Sequence, residues 1–105
     1  MGIPTGVECE LYGEAPVQGD GRVDGHRFYF RARHDHWTFT VCISHDIDPS
    51  VLRGPKSDGW FTEDDYVGFE LSNHFHGASR MPYDFAEAVI ADCVVSFREA
   101  MQNRA

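Results

Sequence analysis

His26-Arg27-Phe28-Tyr29-Phe30-Arg31-Ala32-Arg33-His34-Asp35-His36-Trp37-Thr38-Phe39-Thr40-Val41-Cys42-Ile43-Ser44 reads as two strands of alternating character joined by a tight turn. Successive side chains of an extended strand point to opposite faces. Phe28, Phe30 and Ala32 therefore go one way, and Arg27, Tyr29, Arg31 and Arg33 the other. The second half repeats the pattern, with Trp37, Phe39, Val41 and Ile43 alternating with Thr38, Thr40, Cys42 and Ser44. His34-Asp35-His36 has the length of a hairpin loop. A slip of one residue would turn the aromatic row into water, so burial fixes the register.

The cover for that row lies at the other end of the chain. From Pro82 to Asn103, Phe85, Ala86, Val89, Ile90, Cys93, Val94, Phe97, Ala100 and Met101 fall on one half of a helical wheel. Asp84, Glu87, Asp92, Arg98, Glu99 and Gln102 fall on the other. Pro82 suits a first helical position, and acids early with arginines late suit the helix dipole. Phe85, Val89 and Phe97 are expected to pack on Phe28, Phe30, Trp37 and Phe39, each burial contributing roughly 1.5–3 kcal/mol.

Around this pair the pattern predicts a strand at Val7 to Tyr12, where Val7, Cys9 and Leu11 alternate with Glu8 and Glu10. Gly19-Asp20-Gly21 and Asp24-Gly25 read as turns flanking a short extended piece at Arg22 and Val23. His45 to Gly59 reads as a loop with a helical turn near Pro49 to Arg53, and loops this long are often functional. Trp60-Phe61 re-enters the core or an interface, Thr62 to Asp65 makes a turn, and Tyr66 to Ser72 forms another strand. The expected fold is α+β, one domain over residues 1–105. Its antiparallel, meander-like sheet has about four or five strands, with one C-terminal amphipathic helix packed on one face.

Composition bounds the function. The chain of 105 residues has 42% apolar content and no run approaching the roughly 20 apolar residues that span a bilayer. Its first residues lack the basic and apolar regions of a signal peptide, so a cytoplasmic place in a bacterial or host cell is expected, with no membrane partner. Three widely spaced cysteines without a C-x-x-C indicate neither disulfides nor a zinc ribbon, and Cys93 is expected to be buried. A net charge of −8 argues against nonspecific nucleic-acid binding and favours basic partners.

Four groups of residues could carry function. Arg27, Tyr29, Arg31 and Arg33 share a strand face on which guanidiniums can grip phosphates or carboxylates bidentately. Asp46, Asp48, Trp60, Glu63, Asp64, Asp65, Tyr66 and Glu70 combine carboxylates with aromatic anchors suited to a basic protein surface. His34 with His36, and His74 with His76, are H-x-H pairs that could bind a metal if they met. Catalytic motifs are missing: there is no G-x-S-x-G, H-E-x-x-H or P-loop, and Cys42 near His45 does not make a nucleophile and base. No catalytic residue and no cofactor is expected.

The string Phe28-Tyr29-Phe30-Arg31-Ala32-Arg33, followed after three residues by Trp37, resembles a motif of uncharacterised small proteins of bacteria and their phages. The likeness runs from Gly21 to Val41; it implies an origin and brings no activity or site residue with it. The expected function is a small, acidic, noncatalytic interaction module that binds a basic protein partner, and inhibits it in the manner of anti-defence or immunity proteins. A homodimer through the open sheet face is a variant. The alternatives are a binder of nucleotides or other anions through the arginine row, and a histidine-rich metal protein.

Overall fold

The computed structural model describes residues 3–52 and 58–104. Within them, β1 (Val7–Tyr12), β2 (Val17–Val23), β3 (His26–Arg33), β4 (His36–Cys42), β5 (Gly59–Glu63) and β6 (Tyr66–His74) form one antiparallel sheet, followed by α1 (Tyr83–Arg104). The sheet order is β1-β2-β3-β4-β6-β5. The fold is thus α+β with the helix on one face, and the sheet has six strands, more than the four or five expected. The first four strands are a meander. Then β6 inserts between β4 and β5, so β4 and β5 run in the same direction and their connection must cross a face of the sheet.

The hairpin forms with Phe30 opposite Phe39, Phe28 opposite Val41 and Ala32 opposite Trp37. Phe28, Phe30, Ala32, Phe39 and Val41 are buried, and from the helix Ala86, Ile90, Cys93, Val94 and Phe97 close over them. Phe97 sits at the centre of an aromatic group, its ring centroid 5.6 Å from Phe69, 6.3 Å from Trp60 and 6.2 Å from His26. Arg98 fastens the helix from outside, donating to both Asp24 carboxylate oxygens (2.9 and 2.8 Å) and to the Thr5 carbonyl (2.8 Å).

Two expectations about packing change. Phe85 is 45% exposed and lies against Phe75, with ring centroids 4.8 Å apart, instead of reaching the aromatic row. The first turn of α1 meets the segment that follows β6, and Met81, just before the helix, is buried in the core. The second change concerns β2. Gly19-Asp20-Gly21 is strand, with no turn between Val17 and Val23. Both glycines face the helix side, as their partners Phe30 and Phe28 show. A Cβ on Gly19 would stand 3.0 Å from Leu11 Cδ2 and 3.6 Å from Ile90 Cδ1, and one on Gly21 would collide with the Glu8 carbonyl. Here glycine marks close approach of neighbours inside a strand.

The opposite face is partly covered. Of the helical turn expected near Pro49 to Arg53, Pro49–Val51 forms a single 3-10 turn, capped by Asp48 Oδ1 accepting from the Ser50 amide at 3.0 Å, and Arg53 lies outside the described residues. This turn lies against β3 and β4, and Pro49 is buried. Thr40, Cys42 and Glu70, all pointing away from α1, are buried as well.

Candidate interaction face

Cross-strand register places the polar face of the sheet in rows. Glu8, Arg22 and Arg27 occupy one row; Glu10, Asp20, Tyr29, Thr40 and Glu70 the next; Tyr12, Gln18, Arg31, Thr38 and Ser72 a third; and Arg33, His36 and His74 a fourth. All four residues of the arginine strand therefore share this face, as alternation requires, but they do not act as one unit.

Arg27 lies in the field of Asp46, and Arg22 bridges Asp46 at 3.1 Å while donating to the Gly25 carbonyl at 3.1 Å. The Arg22 hydrogen bond holds the exposed Asp46 carboxyl below the usual carboxylate range. Tyr29 donates its hydroxyl to Gln18 Oε1 at 2.6 Å, and burial pushes its phenol up. Arg31 is half-buried, its Nε lacking a partner among the described residues, and Arg33 is exposed. Among the described residues, the crossing chain thus engages Arg22 at one end of the face and gives no ion pair to Arg31 or Arg33 at the other.

The residues of the expected acidic and aromatic surface are dispersed. Asp46 and Asp48 stand over the polar face, where Asp48 acts on Tyr29 and Tyr12. Trp60 belongs to the helix side, edge-on to Phe69 with centroids 5.1 Å apart and with the Arg104 guanidinium 4.8 Å from its ring centre. Glu70 is only 4% exposed and accepts from Thr40 Oγ1 at 3.1 Å. Asp64 and Asp65 form the β5–β6 turn, both with positive φ (50° and 68°), and Glu63 faces Tyr66 across it. Tyr66 packs edge-on against His45 at 4.8 Å. No single surface holds this set.

The two histidine pairs do meet at one end of the sheet. His36 is directly opposite His74, and Asp35 at the hairpin tip stands 4.0 Å from His76 Nδ1. Asp35 accepts from the Gly77 amide at 2.8 Å, and that bond, helped by the nearby histidines, lowers its carboxyl. Among the described residues, however, no three or more His, Cys, Asp or Glu side chains are placed to hold a metal ion. Burial raises the Cys9 thiol to about 11 and pushes that of Cys93 higher still, which disfavours the nucleophilic thiolate at these two positions.

What the sequence reading missed is the edge formed by β1 and β2. The register sets Glu8 directly opposite Arg22, and Glu10 directly opposite Asp20 in the adjoining row. These three carboxylates line an open concavity of about 390 Å³ together with Arg27 and with Arg22, which is paired with Asp46. Burial, followed by a hydrogen bond with Asp20, raises the neighbouring Tyr12 phenol to about 12. The signal for this edge was the Glu-x-Glu of β1, readable only once β2 is recognised as its partner. No described helix is long and apolar enough to cross a membrane. Comparison with protein-family models, curated proteins and solved structures finds no match for this chain.

Proposed function

We propose that the protein is a noncatalytic interaction module that binds a basic protein partner through the β1–β2 edge. The observation that carries this reading is the cross-strand pair Glu10 and Asp20, with Glu8 adjacent, on the outermost two strands of the sheet. Like charges directly opposite one another destabilise a strand pair. A basic side chain seated among them would relieve that repulsion, and β1, an edge strand, offers unpaired backbone groups beside it. The formal charge of −8 adds long-range attraction for such a partner.

A second copy of the chain is a poor occupant of this edge. With two β1 strands fully overlapped and their apolar side chains on one face, carboxylates face carboxylates. The partner is therefore a different protein, and an inhibitor of the immunity or anti-defence kind would act by covering its basic surface. The test is retention on immobilised protein of basic proteins from an extract of the source cell. Wild type is expected to hold a partner that elutes with rising salt, and the triple variant Glu8→Lys, Glu10→Lys, Asp20→Lys is expected to lose it. Equal retention by a variant with an unchanged unfolding transition would overturn the proposal.

A further inference from the structure

The opposite end of the same face has the reverse chemistry. Arg31 lies between Gln18 and Thr38, and Arg33 lies opposite His36, which in turn faces His74. Alternate residues of these strands, among them Phe30, Ala32, Trp37 and Phe39, point to α1, so this group points away from it. Guanidinium, hydroxyl and imidazole donors are thereby gathered in rows that hold no carboxylate residue of their own, with Asp35 beside His74 and with Asp20 and Asp48 acting on Tyr12.

No ion pair among the described residues takes up the arginines here. Among the described residues the ion pairs are Arg22 with Asp46, His76 with Asp35, and Arg98 with Asp24; neither Arg31 nor Arg33 takes part. The residues outside the description, 1–2, 53–57 and 105, contain no acidic side chain that could fill the gap. Most telling is Arg31 Nε, a buried donor with no acceptor among the described residues. Its neighbour Gln18 already accepts through Oε1 from Tyr29. Buried donors are nearly always satisfied, and one left unpaired costs stability until an acceptor arrives.

We propose that Arg31 and Arg33, flanked by His36 and His74, form a binding site for a phosphate-type oxyanion, either free phosphate or the terminal phosphate of an ester. A guanidinium presents parallel N–H donors that match two oxygens of such a group. The assignment is distinct from the acidic edge, since Glu10 and Asp20 lie in the adjoining row and Glu8 in the one beyond, and all three would repel the same ligand.

The experiment is a titration of the full chain with inorganic phosphate and, separately, phenyl phosphate, at fixed ionic strength balanced with chloride. The readout is the Arg31 Nε–Hε resonance in ¹H–¹⁵N spectra. A saturable shift beyond that caused by chloride is expected with one or both ligands, and tighter binding of phenyl phosphate would identify an ester as the ligand. Arg31→Lys keeps the charge but removes the fork and is expected to weaken binding about tenfold or more. The exposed Arg33→Gln, which does not touch the core, is expected to weaken it several-fold. A resonance that responds to phosphate no more than to chloride, or affinity unchanged in Arg33→Gln, would overturn the assignment.

Discussion

The two faces of the sheet come from the same strands, residue by alternate residue, and are held by different physics. On the helix side Phe28, Phe30, Phe39, Val41 and Phe69 meet Ile90, Val94 and Phe97, all buried, with no polar group to satisfy. On the other side a crossing chain is held by directed contacts: Arg22 to Asp46, Asp48 to its own 3-10 turn, and Ser44 Oγ accepting from the Val67 amide at 2.7 Å. The first face is specified by volume and apolar area, the second by charge placement. Stability should therefore be concentrated on the first and binding on the second, and single substitutions can test that division.

The largest expected effect is on the helix side. Phe97→Ala removes the ring shared by Trp60, Phe69 and His26 and should cost about 3–5 kcal/mol, read as a lowered midpoint in urea. A loss below about 1 kcal/mol would mean that the helix is not what holds the sheet. Gly21→Ala comes next, at about 1–3 kcal/mol, because the new methyl meets the Glu8 carbonyl and Phe28, neither of which can retreat freely. Its control is Gly25→Ala. There a Cβ would meet nothing, so only the positive φ of +86° is penalised, at about 1 kcal/mol.

The glycine pair also shows where the sequence was legible and where it was not. Period-two and helical patterning located β1, the β3–β4 hairpin, the Pro49 turn and α1, because each is decided by its own residues. β2 escaped, since Gly19-Asp20-Gly21 carries the signature of a turn, and what makes it a strand is the nearness of Ile90 and of the β1 backbone. Without β2 there was no partner for β1, so the juxtaposition of Glu10 and Asp20 could not be seen. Likewise Trp60 and Glu70 looked like members of an acidic, aromatic surface, because nothing local reveals that β6 inserts between β4 and β5. Alternation correctly put Arg27, Tyr29, Arg31 and Arg33 on one face. Their division into engaged and unengaged halves depended on the crossing chain, a long-range feature.

A smaller effect is expected at the latch between the faces. The Arg98 hydrogen bonds hold the Asp24 carboxyl below its usual range. A depressed folded-state value contributes stability that is present above the unfolded value, near pH 4, and is lost as pH falls through the folded one. Both groups are partly exposed, with side-chain accessibilities of 35% and 46%, so Arg98→Ala should cost only about 1 kcal/mol at neutral pH. The variant should also lose less stability than wild type as pH is lowered below about 4. An unchanged acid limb would show that the latch does not contribute to folding.

The smallest effect separates the two faces most sharply, because it should have opposite signs for folding and binding. Glu10→Gln keeps the shape of the side chain and removes one of two facing carboxylates on strands that the helix side already holds. Relief of repulsion should raise stability by about 0.2–0.5 kcal/mol, measurable as a small upward shift in the urea midpoint at low salt that vanishes at high salt. If the edge exists to receive a basic group, the same substitution should weaken partner binding and flatten its salt dependence. A variant both more stable and equally well bound would mean that the paired carboxylates are an unrelieved defect of the fold with no ligand to explain them. One more stable but less well bound would show that the protein gives up folding free energy at β1 and β2 to keep a charge in place.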